Sequence, residues 1–164
     1  MKRIILMITI IIINFIFQTS LFGLFGFTSV VPNLSLVLLV IFAMMSDGMT
    51  GGILGFITGA LYDGMLYDVF GIHTLIYFLI GAVVGTFSVD MIRENYAVYA
   101  VVTGASTGVM HFLLYLILFF LKHRVELAVN NLSVILMEII INTVLVIFVL
   151  KFIIFLFNKL NVKA

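Results

Sequence analysis

Long apolar runs cut by short clusters of Gly, Asn, Asp and Ser organise this sequence. A helix that crosses a bilayer needs roughly 20 apolar residues to cover about 30 Å of hydrocarbon, and six runs approach that length. They predict helices over residues 4–22, 32–45, 49–66, 72–89, 97–121 and 132–157. Pro32 is expected in the first turn of the second helix, where its missing N–H leaves nothing unsatisfied. Ser46-Asp47-Gly48 is expected to form a tight turn, joining the second and third helices as an antiparallel hairpin. Residues 23–31, 68–71, 90–96 and 122–130 read as the remaining connections, the last being the most charged stretch. The runs do not alternate apolar with polar residues, which argues against a transmembrane barrel.

Composition turns this pattern into a class. Of 164 residues, 65% are hydrophobic and 9% charged, with a mean hydropathy of +1.39. A soluble domain carries roughly 25% charged residues to face water, and no such surface can be assembled here. The chain is therefore expected to be all-α, a single transmembrane domain over residues 1–164 with six transmembrane helices. Met1-Lys2-Arg3 before an apolar run resembles a secretory signal. The run over residues 4–22 is longer than the roughly 7–15 residues of a signal core, and no small-x-small site follows, so it reads as a retained first helix. A net charge of +1 gives no basic field for nucleic acid. With no cysteine, disulfides, thiolate metal sites and cysteine nucleophiles are excluded.

Basic residues set the expected orientation. Lys2 and Arg3 precede the first helix, Arg93 lies between the fourth and fifth, and Lys151, Lys159 and Lys163 lie toward the end of the chain. With six crossings these fall on one side, against Lys122 and Arg124 on the other. Both termini are accordingly expected in the cytoplasm.

Polar and small residues inside the runs form stripes. The third run carries Gly48, Gly52, Gly55, Gly59 and Asp63, at steps of four, three, four and four. The fourth carries His73, Tyr77, Gly81 and Gly85, each four apart; the fifth Gly104, Gly108, His111 and Tyr115; the sixth Asn131, Ile135, Glu138 and Asn142. Small residues four apart let helix backbones approach closely, where lipid supplies no hydrophobic drive. Packing alone accounts for such stripes. Asp63 and Glu138 are ionisable groups that should face protein or water rather than lipid. Glu138 and Asn142, one turn apart, suggest a buried polar pair, either helix–helix glue or a substrate contact. His73 and His111 have no metal-ligand spacing and read as single hydrogen-bonding groups. The expectation is no metal and no cofactor. No nucleophile elbow, His-Glu-x-x-His pair or phosphate-binding glycine loop is present, so no enzyme activity is expected.

The segments "PNLSLVLLV" from Pro32, "GGILGFITGALYD" ending at Asp63 and "GIHTLIYFLIGAVVG" from Gly71 to Gly85 occur in that order. In these segments and their spacing the chain resembles MreD, the small membrane subunit of the bacterial rod-shape machinery. The matching positions are Pro32; Gly52, Gly55, Gly59 and Asp63; and Gly71, Leu75, Tyr77 and Gly81. A departure is the turn Ser46-Asp47-Gly48, where that family often carries basic residues. The resemblance implies a non-enzymatic scaffold of cell elongation in the bacterial cytoplasmic membrane. Its partner would be the spanning helix of MreC, and through MreC it would connect MreB filaments with the polymerase RodA and its transpeptidase; a homo-oligomer is also compatible. The resemblance further implies a fold like the substrate-binding subunits of energy-coupling-factor vitamin transporters. That fold supplies the alternative function, a small-molecule-binding transporter subunit. Against it, the first helix reads "RIILMITIIIINFIFQ", with none of the small residues by which such subunits dock. A third reading, a proton-coupled carrier using Asp63 or Glu138, lacks a second topological half.

Overall fold

The computed structural model describes residues 2–22, 30–66, 70–88, 95–121 and 132–160. Among them it contains six α-helices and no strand: α1 Lys2–Phe22, α2 Leu34–Met44, α3 Gly48–Leu66, α4 Ile72–Phe87, α5 Tyr96–Phe120 and α6 Leu132–Lys159. Three described stretches are long and apolar enough to cross a membrane: Lys2–Ser20, Tyr96–Phe120 and Leu132–Lys159. The connections carrying Arg93, Lys122 and Arg124, together with Asn131 and Lys163, lie outside the described residues.

α2 occupies the centre and touches all five other helices. Every residue from Ser35 to Met44 is buried, as expected for a helix apolar all round. Its 11 residues cover about 16 Å at 1.5 Å per residue, roughly half the hydrocarbon depth. The run from residue 32 was expected to be helical throughout, and the structure corrects this. Asn33 is the N-cap, its side-chain oxygen accepting from Leu36 N–H at 3.0 Å. Pro32 therefore precedes the cap instead of standing in the first turn. The reason is competition for the orphan N–H groups: an asparagine oxygen satisfies one of them and so fixes where the helix begins.

The other end of α2 is tied by three contacts. The Arg3 guanidinium donates to the Met45 carbonyl, a cation at the negative end of a helix. Ser88 Oγ donates to Ser46 O at 2.9 Å. Asp47 accepts from the Thr50 hydroxyl at 2.5 Å and from its N–H at 3.4 Å, which caps α3. Gly48 is already the first residue of α3, so only Ser46 and Asp47 remain outside both helices and the C-cap Met45. The Thr50 hydroxyl holds the Asp47 carboxyl below the ordinary carboxylate pKa.

α3 and α4 run antiparallel in backbone contact. A Cβ built on Gly55 would lie 2.6 Å from the Tyr77 carbonyl carbon, and one on Gly59 2.5 Å from His73 O. One on Gly85 would lie 2.6 Å from Asp47 O. Gly51 and Gly81 face each other so closely that each one's added Cβ would strike the other's carbonyl. The seam is therefore Gly48, Gly51, Gly55 and Gly59 on α3. Gly52, placed in the stripe by its spacing, lies beside the seam, where its Cβ would meet the edge of the Phe78 ring at 3.1 Å and Ala82 Cβ at an ordinary 3.4 Å. On α5, Gly104 abuts Thr143 of α6, its Cβ lying 2.8 Å from the hydroxyl. Gly108 has ordinary room, with Ile139 at 3.8 Å, and close approach does not require a glycine there.

Candidate functional site

Polar side chains from every helix converge where α1, α3 and α5 end and α2, α4 and α6 begin. Asp63, near the last turn of α3, reaches the first turn of α4. Its oxygens accept from the N–H groups of Gly71 at 2.9 Å, His73 at 3.0 Å and Thr74 at 2.8 Å. They also accept from the Thr74 hydroxyl at 2.7 Å and take His73 Nδ1 at 3.0 Å. These backbone donors are the ones a helix start leaves without partners. Gly71, the residue at the N-cap, has no side chain to serve them and sits at φ 107°, a left-handed conformation open to glycine. A carboxylate from the neighbouring helix supplies the cap instead, where the helix dipole also favours negative charge. Since a carboxylate only accepts, His73 Nδ1 carries the proton.

Asn33 is a second junction. Its backbone N–H donates to Asn142 Oδ1 at 3.0 Å, and its side-chain amide to Tyr77 Oη at 2.9 Å and Met110 Sδ at 3.4 Å. Asn142 in turn donates to Thr107 Oγ1 at 3.2 Å. From α1, Asn14 donates to Ser35 Oγ at 2.8 Å, Ser35 donates to Gln18 Oε1 at 3.1 Å, and Gln18 donates to the Pro32 carbonyl at 3.4 Å. In the non-helical backbone before α2, the Pro32 carbonyl and the Asn33 N–H are thus satisfied by side chains of α1 and α6.

Glu138 and Asn142 do not form the pair that their spacing suggested. Glu138 takes His111 Nε2 of α5 at 2.8 Å, while Asn142 meets Thr107 and Asn33. α5 and α6 are antiparallel, so residues one turn apart on α6 meet residues one turn apart on α5, as two rungs. Both members of the His111–Glu138 pair are largely buried, with 18% and 12% of their side chains exposed.

The two histidine–carboxylate pairs flank a chamber of about 260 Å³, lined also by Gln18, Asn33, Tyr62, Tyr77, Met110 and Leu114. Rings of Tyr62, His73 and Tyr77 stack edge-on or tilted, with centroids 5.6–6.2 Å apart. Asp63, His73, Tyr77, Glu138 and Asn142 are thereby brought to one end of the bundle, and Gly55, Gly59, Gly81 and Gly85 to the seam. Asn33, Gln18 and Tyr62 escaped the sequence reading. Asn33 had a signal, an N-cap residue directly after the only proline; so had Asn14 and Gln18, polar residues four apart in an apolar run. Among the described residues no three His, Asp or Glu side chains gather as a metal-ligand set.

A second hollow, about 590 Å³, lies between α4 and α5 and is lined almost wholly by aliphatic side chains. Leu79, Val83 and Phe87 form one wall and Val101, Val109 and Leu113 the other, with Ala105 and Ser106 between.

No curated protein and no solved structure matches the chain. A family model described as rod shape-determining protein MreD matches residues 1–156. By that match, which takes in all six helices nearly to the end of α6, the chain belongs to the MreD family of rod shape-determining membrane proteins.

Proposed function

We propose that this protein is a non-enzymatic scaffold of the cell-elongation machinery, holding the spanning helix of MreC and supporting peptidoglycan synthesis through it. MreC would then carry the connection to MreB, RodA and its transpeptidase. The observation that carries the reading is the α4–α5 crevice. α3 and α4 close on each other through glycines, whereas α4 and α5 meet less closely and leave apolar side chains uncovered. Val83 is 52% exposed, Phe87 60% and Val101 71%. Membrane helices associate by close shape fit, and a crevice lined in part by the small residues Ala105 and Ser106 admits one.

The accompanying topology is six crossings with both termini cytoplasmic, α2 completing its crossing through the non-helical residues before it. Lys2, Arg3, Lys151 and Lys159 support this orientation. Arg3 reaches Met45 at the far end from the chamber, and the Lys151 ammonium lies 5.9 Å from the centre of the Tyr96 ring at the start of α5. The six-helix bundle also fits the proposed likeness to the transporter subunits named above.

The native chain has no cysteine, which makes disulfide mapping direct. Single cysteines at Val83 or Val109, paired with cysteines along the MreC helix, should cross-link in membranes with a helical repeat. A cysteine at Phe148, 67% exposed on α6, should not. Cross-linking at Phe148 without any at Val83 and Val109 would overturn the assignment of the crevice, and failure of the two proteins to co-purify would overturn the scaffold.

A further inference from the structure

We propose that the chamber is a binding site for a small organic cation, an ammonium compound of about eight non-hydrogen atoms or fewer. The inference rests on the chamber alone and stands or falls apart from the scaffold reading. At about 30 Å³ for each water-sized group, a volume of about 260 Å³ has room for roughly eight. That is below the range of drug-sized pockets and too large for a bare ion.

The sign of the ligand follows from the walls. Glu138 lines the chamber, and Asp63 stands immediately behind His73. Among the described residues no Lys or Arg lines it. Among the described residues Glu138 shares its charge with a single partner, His111 at 2.8 Å. This differs from Asp63, whose two oxygens are taken up by five contacts with α4. Asp63 is spent on capping a helix; Glu138 keeps lone pairs for a ligand, since a carboxylate can accept about four hydrogen bonds. Around it stand the Tyr62 and Tyr77 rings and the Met110 sulfur. Aromatic faces attract cations, most strongly where water is excluded. Among the described lining residues an anion would meet the Glu138 carboxylate, while the amides of Gln18 and Asn33 already donate to Pro32, Tyr77 and Met110 and both histidines already face carboxylates. Glu138 lies six residues into α6, about 9 Å from its start, so the cation would enter from the end opposite the start of α1 and the end of α6.

The same ammonium chemistry could come from a free amine or from an aminated lipid headgroup, and the experiment separates them. Full-length protein in detergent is titrated with radiolabelled choline and with radiolabelled ethanolamine, with acetate as the anionic control. Saturable retention of at least one amine, and none of acetate, is expected. Glu138→Gln should weaken it roughly tenfold or more, the loss of one charge-assisted contact. Leu114→Trp, which fills the chamber from a half-buried position, should abolish it. Melting temperatures measured without amine verify that both variants are folded, and either variant suffices for the test. Repeating the titration in nanodiscs identifies the source. Ethanolamine retention that is lost when phosphatidylethanolamine replaces phosphatidylglycerol marks a headgroup site; unchanged retention marks a free amine. Absence of saturable retention of both amines, or retention undiminished in a folded Glu138→Gln or Leu114→Trp protein, would overturn the proposal.

Discussion

Gly51 and Gly52 are neighbours in sequence, and replacing each by alanine should have opposite effects. In Gly51→Ala the new methyl would lie 3.0 Å from the Gly81 carbonyl carbon and 3.2 Å from Ala43 Cβ, and closer still to the Gly81 oxygen. None of these is the free end of a flexible side chain, so α3 and α4 must part. Overpacking of this kind costs about 1–3 kcal/mol. The helix-propensity gain of alanine over glycine returns up to about 1 kcal/mol. Because the seam continues through Gly55 against Tyr77 and Gly59 against Thr74, separation at one point strains the rest, and the upper half of the range applies. A net loss of about 1–2 kcal/mol is expected. In Gly52→Ala the methyl meets the Phe78 ring edge at 3.1 Å. That side chain is 42% exposed and can swing aside, so the propensity gain dominates and the variant should be neutral or up to about 1 kcal/mol more stable. Reversible unfolding by sodium dodecyl sulfate in mixed micelles, followed by far-ultraviolet circular dichroism, reads the difference. The double variant Gly51→Ala/Gly81→Ala should lose less than the sum of its parts, since the two methyls crowd the same contact. A Gly52→Ala protein destabilised as much as Gly51→Ala would refute the register of the seam.

Three further outcomes follow from named contacts. Asp63→Asn replaces one accepting oxygen by a donor facing the N–H groups of α4, and should cost about 2–3 kcal/mol in the same unfolding assay at neutral pH. Asp47, whose folded pKa is depressed below 3.8, contributes stability that is present above that value and lost as pH falls through the lower folded one. A shallow acid-side decline is therefore expected in wild type, and its removal in Asp47→Asn; an unchanged profile would show that the Thr50 contact adds nothing. Reporter fusions after Ala164 and between residues 90 and 94 should report cytoplasm, and fusions near Arg124 the exterior; an external C-terminus would sink the six-crossing topology.

Among the described residues the number and kind of helices could be read from the runs, because an apolar stretch of about 20 residues leaves few alternatives. The Asp63–His73 contact had a readable signal too, an acid at the end of one run and a histidine in the first turn of the next. What stayed hidden depended on registry. A Gly-Gly pair offers two stripes about 100° apart on a helix, and only the position of Gly81 selects Gly51 over Gly52. The spacing of Glu138 and Asn142 told of a shared face, not of partners, because His111 and Thr107 on an antiparallel neighbour present the same spacing. The start of α2 was misplaced because proline tolerance in a first turn is a permission, whereas the Asn33 side chain bonded to Leu36 N–H is an interaction.

These placements constrain how a partner could recognise this protein. The polar groups within the bundle turn inward: Asn14, Gln18 and Asn33 hold the start of α2, Asp63 caps α4, and Glu138 faces His111. What α1, α5 and α6 expose is chiefly aliphatic and aromatic, such as Ile13, Val101, Phe112 and Phe148. A spanning partner would find few hydrogen-bonding handles on that surface, so its selection has to rest on shape. Shape selects only where the surface is concave and rigid. The glycine seam and the capped, fully surrounded α2 supply rigidity to the α4 side of the crevice, and the rungs between α5 and α6 supply it to the other. Loosening the seam with Gly51→Ala should for that reason weaken MreC cross-linking at Val83 more than loss of folded protein accounts for, although Gly51 faces the opposite side of α4 from the crevice. Equal cross-linking per folded molecule would mean that the crevice keeps its shape without the seam, and that this step of the reasoning is wrong.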